Sequence, residues 1–254
     1  MIPLVVPPLT GLSVLNTRPL PQAAALAASI ERLGGTTVSL PAIDIVPIPT
    51  APVAGHDLVI FVSVNAVAHG AHCITRAAAM RIAAIGNTTA AALAAAGLAV
   101  DLVPETGFNS EGLLAHPDLG TSARVLIVRG AGGRELLQET FATRGCVVET
   151  LDVYRRVLPV VDAARRDAIE TLWSEGGIDV VTATSVATLH NLHSLLSERG
   201  RELLRVTPLL VASKRIMAAA ADMGLEGECL LASGADDPAL IGTLSFWQAR
   251  ARSG

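Results

Sequence analysis

The sequence predicts an α/β fold of two similar domains, each a parallel β-sheet flanked by helices, joined by a two-stranded linker with a cleft between them. Three observations predict it. Short β-branched runs alternate with Ala/Leu-rich stretches from one end of the chain to the other, the pattern of strand, crossover helix and next parallel strand. Hydrophobic residues make up 51% of the chain but aromatic residues only 3%, so the cores must come from Ala, Val, Leu and Ile, which suits parallel sheets under Ala-rich helices. Segments of the chain also echo one another, and 254 residues accommodate two cores of about a hundred residues each.

Ten strands are expected, at 13–18, 36–40, 57–63, 81–86, 100–104, 124–129, 147–151, 179–185, 209–213 and 229–233. After the first, Ala24, Leu26, Ile30 and Leu33 form an apolar stripe that stops at Gly34 and Gly35, a glycine helix end. Helices at 89–96, 134–143 and 215–223 stop in the same way at Gly97, Gly145 and Gly224. The run Asp57-Leu-Val-Ile-Phe-Val-Ser63 resembles Asp179-Val-Val-Thr-Ala-Thr-Ser185, the strand 81–86 with its helix resembles 209–213 with its own, and 14–18 resembles 125–129. Two segments lack helical periodicity and are extended by prolines and β-branched residues, about 41–50 and 150–160. Taken as linker strands, they make domain A discontinuous, 1–42 plus 158–254, with domain B inserted at 43–157 and five strands in each.

The formal net charge of −4 offers no global attraction to nucleic acid or to an anionic membrane, and neither is expected as a partner. Lys214 is the only lysine, so carboxylate recognition would use mainly the planar guanidinium of Arg. Cys73, Cys146 and Cys229 are dispersed and form no C-x-x-C, which predicts buried thiols in a reducing compartment rather than disulfides or zinc. The apolar start, residues 1–12, carries three prolines and neither a basic n-region nor a cleavage site, and the Ala-rich stretch 82–100 is interrupted by Gly86 and Gly97. A cytoplasmic location follows as the expectation. No apolar stripe beyond the sheet-packing faces is evident, which predicts a monomer.

Ligands of open parallel sheets bind beyond the carboxyl ends of the strands, where loops enter helices with free amides. The residues found there are small, hydroxylic or cationic: Arg18, Ser63, Asn65, Thr89, Arg129, Gly130, Arg134, Thr184, Ser185 and Ser213, with Asn109 and Ser110 in the loop after 100–104. Each hydroxyl has a purely structural alternative as an N-cap, stabilising by about 1 kcal/mol. Capping leaves other first-turn amides free, so several such loops together suit a polycarboxylate. Arg129-Gly-Ala-Gly-Gly-Arg134 has neither the dinucleotide glycine spacing nor the Gly-Lys-Ser/Thr of a P-loop, which argues against a nucleotide. Tyr154, the only tyrosine, lies in the second crossing beside Arg155 and Arg156 and is either a packing residue or a proton donor. The pairs His69/His72 and His190/His193 lack a carboxylate partner and read as solvent-facing helix positions, so no metal is expected.

In order along the chain, Thr17-Arg-Pro19, Ser63-Val-Asn-Ala-Val67, Gly86-Asn-Thr-Thr-Ala90, Asn109-Ser-Glu-Gly-Leu-Leu114, Arg129-Gly-Ala-Gly-Gly-Arg134 and Val153-Tyr-Arg-Arg156 resemble the uroporphyrinogen-III synthase family over about residues 12–245. The resemblance implies two βα domains on a two-stranded linker and a cofactor-free lyase. Its substrate would be hydroxymethylbilane, a linear tetrapyrrole whose acetate and propionate groups meet amides, hydroxyls and Arg at the strand ends. The implied reaction loses the terminal hydroxyl as water, passes through a spiro intermediate and closes the ring with the last pyrrole inverted. Spontaneous closure without inversion competes. By matching position Tyr154 is the candidate acid, and transient contact with the preceding pathway enzyme is among the implied partners. The sequence departs from the pattern at Ser213-Lys-Arg-Ile-Met217, where Ile216 stands opposite Thr89. The alternative is a non-catalytic two-domain ligand-binding or regulatory paralogue.

Overall fold

The computed structural model describes residues 6–120 and 122–253; the first five residues of the expected 1–42 segment lie outside them. The chain begins β1 (Ser13–Asn16), α1 (Leu20–Arg32), β2 (Thr36–Ser39), β3 (Asp44–Pro47), β4 (Leu58–Phe61), α2 (Val64–Gly70), β5 (Arg81–Ala84) and α3 (Asn87–Ala95). It continues through α4 (Ser110–Leu114), β6 (Arg124–Gly130), α5 (Leu136–Thr143), β7 (Val147–Val157), α6 (Ala163–Ser174), β8 (Val180–Ala183) and α7 (Val186–Leu195). Last come α8 (Glu198–Val206), β9 (Leu209–Val211), α9 (Lys214–Asp222), β10 (Cys229–Leu231) and α10 (Asp237–Ser253). Two compact units result, Met1–Asp44 with Val157–Gly254, and Ile45–Arg156.

The first unit holds the sheet β10-β9-β8-β1-β2, parallel at every pairing. Its inner strands β8 and β9 are buried throughout because helices cover both faces. Leu15 of β1 faces a core with Val181, Leu192 and Val211, while its neighbour Val14 faces another with Leu26, Ile30 and Leu240. The inward stripe of α1 is Ala23, Leu26 and Ile30; Ala24, expected in it, is exposed. Spacings of three and four keep one helical face, and Ala24 falls out of phase with Leu26 and Ile30. The helix stops where expected, with Gly34 at φ +85° and the Gly35 amide bonded to the Ile30 carbonyl at 3.1 Å.

The second unit holds the sheet β3-β7-β6-β4-β5. Its inner strand β4, Leu-Val-Ile-Phe, is buried throughout and pairs in parallel with β5 and β6. The expected strand at 147–151 and the extended segment after it are one eleven-residue strand, β7, and β3, from the other extended segment, is its neighbour in the sheet.

The expected strand at 100–104 is a correction, because it forms a single bridge, Leu102 with Ala83 on β5. The Asp101 carboxylate accepts the Ile82 amide at 2.7 Å, taking the donor that a strand carbonyl would use. Arg76 holds that carboxylate through contacts of 2.8 and 2.9 Å, and Pro104 has no amide to extend a ladder.

Read from β5, the second sheet runs β5-β4-β6-β7-β3, and the first runs β10-β9-β8-β1-β2. The echoing segments therefore take the same order in their own sheets: β5, β4 and β6 match β9, β8 and β1. The 100–104 segment then occupies beside β5 the edge that β10 occupies beside β9.

Candidate active site

The carboxyl ends of β4, β6 and β7 meet at Tyr154. A bulge in β7 puts it there: Arg129 is opposite Asp152 but Gly130 is opposite Tyr154, which leaves Val153 as an extra residue. Strand alternation alone would send Val153 and Tyr154 to opposite faces; with the bulge both enter one core with Phe61, Val67 and Val128. Tyr154 is only 1% exposed. Its ring lies directly over Gly130, where a Cβ would come within 2.5 Å of Cζ, so glycine is required by space rather than by φ.

The phenol oxygen has two polar neighbours, Arg156 Nη2 at 3.0 Å and Ser63 Oγ at 3.2 Å. The Arg156 guanidinium also sits 5.3 Å from the ring centroid, and the His69 ring lies 5.9 Å away on a tilted approach. Ser63 is extended at φ −169° and caps α2 by accepting the Ala66 amide at 3.0 Å. Ser185 of the first unit repeats this, capping α7 with a 3.0 Å bond from the Thr188 amide, and Thr184 precedes it half-buried.

The remaining sequence candidates divide by how engaged they are. Asn65 is half-buried in the first turn of α2, and Asn109 caps α4 by accepting the Gly112 amide at 2.8 Å, with Ser110 following it. Arg134 is exposed and paired with Glu111 at 3.3 Å, whereas Arg129 is half-buried and bonded to Asp152 at 3.0 Å. Arg18, 8% exposed, is engaged by Asp237 of α10. Beside it, Thr17 bonds the Thr182 carbonyl and fixes the ends of β1 and β8 to each other. Thr89 is buried in α3 at 2% exposure, and Ile216 is buried at 2% in the same position of α9. The departure at Ile216 is thus an exchange between two core-facing positions. Ser213 stands at the N-cap of α9 with its hydroxyl not bonded to the helix, Lys214 and Arg215 exposed after it.

A cavity of about 320 Å³ in the first unit opens near the carboxyl end of β2, lined by Leu20, Leu40, Pro41, Val160, Val161 and Arg165 among others. At the opposite, amino ends of the second unit's strands, His56 Nε2 lies 3.2 Å from Glu149. That imidazole, with the Arg124 guanidinium at 3.4 Å, holds the Glu149 carboxyl below its ordinary pKa. Among the described residues no group of three His, Cys, Asp or Glu is placed to hold a metal, and no helix is long and apolar enough to cross a membrane.

The sequence treated His69 as solvent-facing, but it is half-buried against the Tyr154 ring. Arg156 was seen only as a neighbour of Tyr154. Their alternation in β7 is the signal that finds it, since residues two apart on a strand share a face.

Parallel sheets whose carboxyl ends carry capped helix starts, hydroxyls and guanidinium groups define a class, α/β proteins that take anionic small molecules at strand ends. The comparisons give the family. A profile described as uroporphyrinogen-III synthase HemD matches residues 24–241. The uroporphyrinogen-III synthase of Salmonella typhimurium is 36% identical over 250 residues, 92% of this chain and 100% of that one. That of Escherichia coli K12 is 32% identical over 249 residues, with the same shares. In fold the chain is similar to a mutant uroporphyrinogen III synthase of Thermus thermophilus, with a TM-score of 0.59 at 19% identity over 96% of this chain and 100% of the other. The uroporphyrinogen-III synthetase of Helicobacter pylori 26695 gives a TM-score of 0.58 at 13% identity, over 91% and 96%. The chain belongs to the uroporphyrinogen-III synthase family.

Proposed function

We propose that this protein converts hydroxymethylbilane into uroporphyrinogen III, eliminating the terminal hydroxyl as water and inverting the last pyrrole as the macrocycle closes. The observation that carries this is the match to uroporphyrinogen-III synthases along their whole length. The chemistry asks little of a protein beyond positioning. A pyrrole nitrogen supplies the electron push, so the tasks are to hold a folded conformer, protonate the leaving hydroxyl and outpace spontaneous closure.

Four features support the assignment of roles. Tyr154, Ser63 and Arg156 form the chain's one phenol-centred cluster, at the carboxyl end of a parallel sheet. Asn65, Asn109, Ser110, Ser185, Thr184 and Ser213 stand at helix starts where first-turn amides suit carboxylates. Arg134, Lys214 and Arg215 add exposed positive charge for acetate and propionate groups. The Leu20, Leu40, Val160 and Val161 side of the cavity near β2, which also carries Asp44, Asp162 and Arg165, suits a pyrrole face. Arg18, Thr89, Arg129 and Gly130 serve the site by shaping it: each is buried or held by a protein partner. We take the enzyme to be a cytoplasmic monomer that receives its unstable substrate from the preceding enzyme.

The test is to supply freshly made hydroxymethylbilane and separate the product isomers chromatographically. The type III isomer should dominate. Type I product at the buffer-only rate would favour the rival, a ligand-binding paralogue without catalysis.

A further inference from the structure

We infer that Arg156 is a positioning residue that turns the Tyr154 proton toward Ser63, so that the serine hydroxyl, not the phenol, delivers the proton to the substrate's leaving hydroxyl. This rests on the function proposed above and specifies how its acid works.

The donor inventory favours one direction. Tyr154 is 1% exposed, so its phenol is not the group that meets a ligand from solvent. Its oxygen has Arg156 Nη2 at 3.0 Å and Ser63 Oγ at 3.2 Å. A guanidinium has donors and no acceptor, so the phenol oxygen must accept from Arg156. Of the two possible directions for the Ser63–Tyr154 bond, donation by the phenol is the one that gives its proton an acceptor among these neighbours, and we take that direction. That oxygen already accepts the Ala66 amide at 3.0 Å. With two bonds accepted, its own proton is left to donate outward, and Ser63 is half-buried where Tyr154 is covered. The ring itself is held in place. Gly130 closes on it so tightly that a Cβ there would lie 2.9 Å from the hydroxyl oxygen, and Arg156 covers a ring face at 5.3 Å.

The step balances. As the bond from the terminal carbon to its hydroxyl oxygen breaks, its electron pair stays with that oxygen, which takes the Ser63 proton and leaves as water. The pyrrole nitrogen's pair compensates the carbon. Ser63 Oγ takes the Tyr154 proton, leaving a phenolate beside the Arg156 cation. Ring closure later releases one proton from the substrate, and this returns to the phenolate.

Two measurements on the full chain test the relay. The first is steady-state turnover of hydroxymethylbilane. Arg156→Gln should lower kcat about tenfold or more while KM stays within about twofold. Arg156→Lys, which keeps a charged donor, should recover part of the loss. Ser63→Ala should lower kcat to a similar extent, and Ser63→Thr, which keeps both the hydroxyl and the cap, should recover part of that loss. Ser63→Ala combined with Tyr154→Phe should be no worse than the worse single variant, as expected of groups acting in series. The second measurement needs no substrate. Tyr154 is the only tyrosine, so protein grown with isotopically labelled tyrosine gives one ring signal by nuclear magnetic resonance, and Arg156→Gln must move its phenolic-carbon resonance. A raised KM with unchanged kcat would make Arg156 a carboxylate anchor and overturn the relay, as would an unmoved resonance. An active wild type with an insensitive Arg156 variant removes the relay alone, whereas a wild type inactive on hydroxymethylbilane removes the proposed function with it.

Discussion

The phenol of Tyr154 is held by shape before it is held by hydrogen bonds. Gly130 has no Cβ to spare: one added there would stand 2.5 Å from Tyr154 Cζ. Gly130→Ala should therefore destabilise the second unit by about 1–3 kcal/mol, an overpacking cost, and lower kcat more than it raises KM. Thermal unfolding and steady-state kinetics read both, and an unchanged Tm would mean the ring is not confined as described. A second residue-scale device lies in the first unit. Glu170 of α6 is buried, and its carboxylate accepts both the amide of Ser197, at 2.9 Å, and the Ser197 hydroxyl at the start of α8. Gly200 makes room for it, since a Cβ there would fall 2.3 Å from the carboxylate. Glu170→Ala should cost about 2 kcal/mol by thermal unfolding, because it removes the partner of a half-buried amide and hydroxyl at a helix start. None of this was legible in the sequence, where a glutamate following Arg165, Arg166 and Asp167 in one helix looks like a solvated side chain.

Strand ends and edges, at the scale of whole elements, explain which parts of the fold could be foreseen. Runs such as Leu58–Phe61, buried on both faces, announce themselves by composition, and glycine stops such as Gly34 by their φ requirement. Segment 100–104 has the same composition, yet Asp101 diverts its ladder, and a side chain that mimics a strand carbonyl leaves no periodic trace. The β7 bulge is likewise silent, although it sets which residues join Tyr154. Electrostatics at the amino ends of β4, β6 and β7 give a pH prediction. Glu149's carboxyl is held below its ordinary value first by His56, then by Arg124. A lowered folded-state value means that stabilisation is present above the unfolded carboxylate pKa, about 4.3, and vanishes as pH falls through the folded value. Glu149→Gln should then lower Tm at neutral pH and converge on the wild type in acid. Parallel curves at all pH values would show that the ionised carboxylate is not what stabilises these strands.

At the scale of the molecule, one strand order serves both units, and it was the echo of 57–63 in 179–185 and of 81–86 in 209–213 that made the repeat legible. The candidate site was less so. Sequence places residues at strand ends, but burial decides which of them remain available, as Thr89 and Arg18 demonstrate by contrast with Ser213 and Lys214. That contrast bears on how a chain of net charge −4 attracts a polycarboxylate. On the function proposed above, local exposed cations draw the substrate in, and exposed ion pairs are screened by salt: the Debye length falls from about 10 Å at 0.1 M to about 3 Å at 1 M. The Tyr154–Ser63 pair, being buried or half-buried, is screened far less. KM for hydroxymethylbilane should therefore rise several-fold as ionic strength goes from about 0.1 to about 1 M, while kcat stays nearly constant. Replacing Lys214 and Arg215 together by glutamine should raise KM at low salt and reduce its salt dependence. If KM is instead indifferent to salt, the carboxylates are held by amides and neutral hydroxyls alone, and the exposed cations at the start of α9 serve something other than substrate capture.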